Sequence, residues 1–447
     1  MTQQTLRVVF GFGLVVVIMM MTTILPEMAT QNSADQTEPR QVSWDLTEIY
    51  PTDDAWTVEK ERLDQEVKGL SQYEGTLGES AAALRIALDA ISASDKELAR
   101  LYVYAFLKAD EDRRIAETQE RRSIAASLLS EFGEATSFVS PELLRVGFEM
   151  IERYIAEDTG LEKHAFSLRN ILRQEPHTLS SDAEQIIAAT APIVQGPERI
   201  YAMLSSSDLP FPTITLSDGE EVRLDQAAYS LHRASQNRDD RKLVFDRFWN
   251  SWKAYEATLG QTLDTHVKTH VFEAKARQYD SALHAALSGP NIPVAVYRTL
   301  IAATHRHLPA LHRYFRLRER MLGVEDLAYY DIYPPLVASE REFDLEESKQ
   351  LALVSAAPLG NAYVDLLREG LTGNWMHVYP QQAKASGAYM YGAVYDVHPY
   401  LLLNYNGAYD DVSTLVHEWG HAIHTMLSKA HNPYETSAYA TFTAEIA

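Results

Sequence analysis

A mainly α fold with one small β element is what the sequence predicts, and three observations carry that prediction. Apolar residues recur at three- and four-residue spacing over most of residues 44–372. A single alternating stretch, residues 211–224, interrupts them around Asp218-Gly219, a hairpin signature. Past residue 372 Gly, Tyr and Pro become frequent, short strand-like runs follow, and two further helical stretches close the pattern.

The elements follow in order. Arg7 precedes an apolar run from Val8 to Leu25, and residues 26–40 are polar without periodicity. Residues 1–40 are therefore expected to be an export signal or membrane anchor plus a linker. Arg7 on the near side predicts that the bulk of the chain is exported, periplasmic or membrane-anchored through residues 8–25 with its main part outside. The folded part is expected to begin near Trp44, with an N-terminal helical domain over 41–200 and a second domain over 201–447. Residues 96–132 read as helix, and Ser140-Pro141-Glu142 reads as a helix start. Helical spacing resumes from about 225 to 372. Strand-like runs lie at Ala388–Tyr391 and Tyr400–Tyr405. A helix is expected over Val412–Leu427, capped by Asp410 or Asp411 and stopped by Asn432-Pro433. Another is expected from about Ser437.

Composition narrows the chemistry. The 447 residues include no cysteine, which excludes disulfides, thiolate catalysis and Cys-ligated metal. Lys and Arg number 40 against 62 Asp and Glu, a formal net charge of −22. That balance argues against nucleic acid as a partner, since a phosphate backbone needs a basic footprint.

The residues that carry chemistry lie in VHEWGHAIH, an H-E-x-x-H pattern at His417, Glu418 and His421. Residues four apart on a helix share a face, so both imidazoles can reach one zinc ion. Glu418 lies beside that face, placed to take a proton from a metal-activated water. Leu415, Val416, Trp419, Ile423 and Met426 surround the motif, so the helix is expected to be largely buried, and buried histidines need partners. A catalytic zinc wants a third protein ligand. Glu445, on the stretch TFTAEIA, is the candidate.

VHEWGHAIH followed at this interval by AEIA resembles the oligoendopeptidase F branch of the thimet-oligopeptidase-like zinc peptidases. Trp44-Asp45-Leu46 with Tyr50-Pro51, KASGAYMYG at 384–392 and PYLLLNYNG at 399–407 are similar to further segments of that family, so the resemblance covers roughly 42–447. It implies an elongated, mostly helical metallopeptidase fold with a substrate channel, one zinc per chain, and endopeptidase action on short oligopeptides. His417, His421 and Glu445 match the family's metal ligands, and Glu418 its general base. Two departures stand out. Lys384-Ala385 replaces the usual Lys-Arg, and the His and Tyr cluster that serves substrate and oxyanion in the family lies beyond Ala447, so the catalytic domain over 201–447 is expected to be C-terminally truncated. Typical members are cytoplasmic, the alternative expectation for location.

Tyr400–Tyr405 is expected to be an edge strand beside the metal helix, binding extended substrate through Leu402, Leu403 and Asn404. His266 and His270 are also four apart but have no Glu between and no evident third ligand, so they read as an exposed face. The basic cluster from His305 to Arg320 reads as a salt-bridged helix surface. Two competing functional readings are a zinc-binding fragment without turnover and an exopeptidase.

Overall fold

A computed structural model describes residues 42–447 apart from 180–182, 184, 185, 188, 189, 195, 338–340, 382, 383, 386, 446 and 447. The expected export segment and linker, residues 1–40, lie outside the described residues. Among the described residues no helix is long and apolar enough to cross a membrane.

The fold is mainly α, as the spacing predicts. Three long helices open it: α1 (Asp53–Gly69), α2 (Ala81–Glu111) and α3 (Ala116–Ala135). Thr52 and Ser80 cap the first two, their hydroxyls accepting from the Ala55 and Ala83 amides at 3.1 Å. The single helix expected over 96–132 is broken between α2 and α3. Asp112 turns extended and its carboxylate captures the Arg114 amide at 2.9 Å, a local bond that competes with the helix ladder. A short helix over Val139–Val146 contains the Ser140-Pro141-Glu142 start, one residue inside its N-terminus.

The predicted hairpin forms. Strands β1 (Thr213–Thr215) and β2 (Glu221–Arg223) pair antiparallel, with Ile214 opposite Val222, and Gly219 supplies the turn at φ +92°. Ile214, Leu216, Val222 and Leu224 pack on Val244 and Phe248 of α4 (Arg238–Lys253). Two further long helices, α5 (Glu256–Ala276) and α6 (Val294–Leu322), follow, and Gly323 ends the latter in the left-handed conformation.

The rest of the chain comprises α7 (Leu345–Ala356), α8 (Asn361–Thr372), strands β3 (Met376–His377), β4 (Tyr389–Tyr391) and β5 (Tyr400–Leu402), α9 (Tyr409–His431) and α10 (Thr441–Ala444). The three strands form one sheet in the order β3-β5-β4, with β3 parallel and β4 antiparallel to β5. Tyr400 and Leu402 point into a core shared with the N-terminal helices, while Leu401 and Leu403 point into a core with Leu371, Leu415 and Ile423. A strand buried on both faces reads as a continuous apolar run, which is what PYLLLNY is.

The expected division at residue 200/201 is not where the molecule divides. One compact unit joins the described residues of 42–176 to those of 341–447; the other is 177–340. The first is discontinuous because its two segments share backbone and side-chain bonds. The Asp45 amide donates to the Asn374 carbonyl at 2.7 Å, and Ser92 donates to Glu435 at 2.9 Å.

Candidate metal centre

The site is built on α9, which sequence and packing both orient. Its N-cap position is Ala408 rather than an aspartate. Asp411 acts from inside the first turn instead, its carboxylate accepting from the Ala408 and Asn406 amides at 2.9 and 3.1 Å. Leu415, Trp419, Ala422 and Ile423 bury one face of the helix in the core. The Trp419 ring lies so close to α8 that a Cβ on Gly370 would meet it at 2.0 Å, and its indole N–H donates to the Met376 sulfur at 3.3 Å. With that face fixed, His417 and His421 are presented together from the other side of the helix.

The two imidazoles converge through their Nε2 atoms, 3.0 Å apart. One carboxylate oxygen of Glu445 joins them, all three ligand atoms lying within 4.8 Å of one another. Two Zn–N bonds of about 2.0–2.1 Å at a tetrahedral angle place their nitrogens roughly 3.3 Å apart, so the histidine pair fits zinc, and the Glu445 carboxylate beside it is a candidate third donor. His421 is buried, with the Ala444 carbonyl near its ring. Its Nε2 is turned toward His417. Burial, and then the neighbouring His417, hold the His421 pKa below its usual value.

Glu418 is buried, 8% exposed, with the Met390 backbone amide near its carboxylate. Burial lifts its carboxyl to about 7; the Met390 amide opposes the rise and the Glu445 charge adds to it. The structure brings His417, His421 and Glu445 together, with Glu418 buried on the same helix as the two histidines. The Glu445 carboxylate is exposed, and Ala444 is the buried residue beside it, so desolvation does not force Glu445 to find a partner.

Leu402, Leu403 and Asn404 do not form a substrate edge. β5 is the central strand, Leu402 and Leu403 are fully buried, and the Leu403 amide is used by the His377 carbonyl at 2.9 Å. Asn404 is spent internally, its amide donating to the Ala385 and Gly387 carbonyls at 2.9 and 2.8 Å. Among the described residues the strand with a free edge beside α9 is β4. Lys384 is buried as well and donates to the carbonyls of His377, Tyr379 and Leu403, tying the loop ahead of β4 to the sheet. Its neighbour Ala385 is 1% exposed, with its amide on the Asp110 carbonyl.

His266 and His270 approach to 3.2 Å on an exposed face of α5. Among the described residues only His417, His421 and Glu445 form a group of three or more metal-ligating side chains. In the basic stretch of α6, Arg318 is buried and donates to the backbone carbonyls of Asp331 and Pro334 rather than to a carboxylate. Two partners of the site had no sequence signal, the Met390 amide and the Ala444 carbonyl, because every residue type carries such backbone groups.

The profile of Peptidase family M3 matches residues 231–447, and that of Oligopeptidase F matches residues 142–211. Oligopeptidase PepF of Bacillus subtilis is 34% identical over 426 residues, covering 94% of this chain and 63% of its own length. An oligoendopeptidase F homolog of Lactococcus lactis is 34% identical, over 91% of this chain and 68% of its own. A solved structure from Chlamydophila abortus superposes with a TM-score of 0.78 at 32% identity, over 91% of this chain and 68% of that one. That of oligoendopeptidase-F from Enterococcus faecium gives 0.58 at 30%, over 85% and 64%. On profile, identity and fold together, the chain belongs to peptidase family M3, in its oligopeptidase F group.

Proposed function

We propose that this protein hydrolyses internal peptide bonds of short oligopeptides, with zinc held by His417, His421 and Glu445 and with Glu418 as the general base. The observation that carries the reading is the convergence of three ligand atoms within 4.8 Å beside a buried glutamate on the same helix.

Zinc held by His417, His421 and Glu445 would polarise the scissile carbonyl and lower the pKa of a water toward neutrality. Glu418 takes the proton from that water and passes it to the leaving amine. Burial raises the pKa of the Glu418 carboxyl in the metal-free site, the direction that favours a group able to take up and return a proton. The free edge of β4 supports main-chain pairing with an extended peptide along Ala388–Gly392, a mode that binds backbone and leaves sequence selectivity loose. Arg7 followed by the apolar run 8–25 supports action outside the cytoplasm.

The test is zinc content together with hydrolysis of an acetylated, amidated oligopeptide, for the protein and for Glu418→Gln. The protein is expected to hold one zinc and cut the blocked peptide internally. The variant is expected to keep its zinc and lose about 10²–10⁴ in kcat, the usual share of a general base. A protein without zinc, or zinc without internal cuts, overturns the proposal.

A further inference from the structure

The third ligand of the proposed zinc site stands on an element that cannot hold itself. Helix α10 is four residues long, well short of the length at which an isolated helix persists, and Glu445 sits at its end. The same short element supplies the Ala444 carbonyl to His421. Between it and α9 the chain makes only a single 3₁₀ turn, Tyr434–Thr436, and then runs without regular structure through residues 437–440. Something other than local backbone bonding must set the distance from the metal helix to Glu445.

One side chain spans that gap. The Tyr439 ring stacks on His424 with centroids 3.8 Å apart and planes at 17°. Its hydroxyl shares a 2.6 Å hydrogen bond with Thr425. His424 and Thr425 follow His421 by three and four residues, so Tyr439 grips α9 one turn beyond the ligands and on their side of the helix. The far end of the link is also tied. Glu435 is 5% exposed, accepts from Ser92 at 2.9 Å and pairs with Lys163 at 3.1 Å. A link fixed at both ends leaves α10 little freedom.

We propose that Tyr439 is a positioning residue for the metal. By stacking on His424 and bonding Thr425 it fixes where the Ala444 carbonyl meets His421 and where Glu445 completes the donor set. This rests on the zinc reading above and goes beyond it, because Tyr439 touches neither the metal ligands' donor atoms nor a substrate.

The experiment measures zinc affinity by chelator competition and the visible absorption of the cobalt(II)-substituted protein. It compares the unmodified protein with Tyr439→Leu, Glu445→Ala and the double variant. Tyr439→Leu should weaken zinc by 10–100-fold, the usual cost of losing an outer-sphere partner. Its cobalt spectrum should shift toward that of Glu445→Ala. The double variant should bind no more weakly than Glu445→Ala alone, since both changes remove one contribution. Tyr439→Phe and Thr425→Val delete only the hydroxyl bond and keep the stack, so they test the idea even if the leucine variant folds poorly. Each should weaken zinc by about 2–10-fold. Affinity unchanged in all three single variants at Tyr439 and Thr425, or losses that simply add to that of Glu445→Ala, overturn the proposal. If the unmodified protein binds no zinc, the metal reading fails instead, and the two failures are told apart.

Discussion

A buried imidazole makes a protein sensitive to acid, and His377 is such a group. It lies in β3, 3% exposed, with its ring edge-on to Trp44 at 5.3 Å. Burial, and then the nearby Lys384 ammonium, push its pKa from 6.5 to about 4. The folded value lies below the unfolded one, so the unfolded chain binds the proton more tightly. His377 therefore costs the fold nothing above about pH 6.5 and progressively more as pH falls toward 4, on the order of 3 kcal/mol at the limit. Denaturant unfolding at pH 7.5 and pH 4.5 should show His377→Phe losing less stability over that interval than the unmodified protein; an equal loss refutes the assignment. At this scale the sequence was most informative about side chains whose chemistry depends on local spacing. His417 and His421 could be read because a helix converts four residues of separation into one shared face. The exposure of Glu445 and the work done by the Met390 and Ala444 backbone groups could not, since they depend on what packs from elsewhere in the chain.

At the level of elements, the metal helix is held by a close contact that a single methyl group should break. Gly370 lies in the last turns of α8, and an added Cβ would meet the Trp419 ring at 2.0 Å. Trp419 is 1% exposed and has no room to retreat as a flexible chain end would. Gly370→Ala gains up to about 1 kcal/mol of helix propensity, but overpacking a tight core costs about 1–3 kcal/mol. The expected net result is a loss of about 1–2 kcal/mol, read by denaturant unfolding. A weakened zinc affinity should accompany it, because Trp419 lies between His417 and His421 on the helix. A stabilised variant would show that α8 and α9 are not clamped there. The elements themselves were largely legible: the hairpin, the long helices and the metal helix follow from turn chemistry and apolar spacing. Strand order was not. β3 is two residues long and carries no strand signal, yet it covers one edge of β5 and turns Leu402 and Leu403 from a supposed binding edge into core. A buried central strand and an apolar edge strand look alike in sequence until their neighbours are known.

The molecule as a whole divides in a way no local pattern encodes. Contiguous domains are the natural reading of a sequence, but the first unit here is assembled from 42–176 and 341–447, through pairs as distant as Ser92 and Glu435. Each unit has its own buried cluster. That of 177–340 is built on Ile214, Val222, Leu224 and Phe248, while Leu415, Trp419 and Ile423 belong to the other unit. All four residues of the proposed zinc site lie in the first unit. Metal binds only the folded form of that unit, so its contribution should be confined there. At free zinc a hundredfold above Kd it amounts to about 2.7 kcal/mol. Hydrogen exchange followed by mass spectrometry, with and without chelator, separates the two cores directly. Peptides from α9 should exchange roughly a hundredfold faster once zinc is stripped, the same free energy expressed as a rate for amides that exchange through unfolding of the unit. Peptides from the β1–β2 hairpin and α4 should keep their protection. Equal acceleration in both sets would mean that the two units unfold as one cooperative body, and that the separate cores do not correspond to separate stabilities.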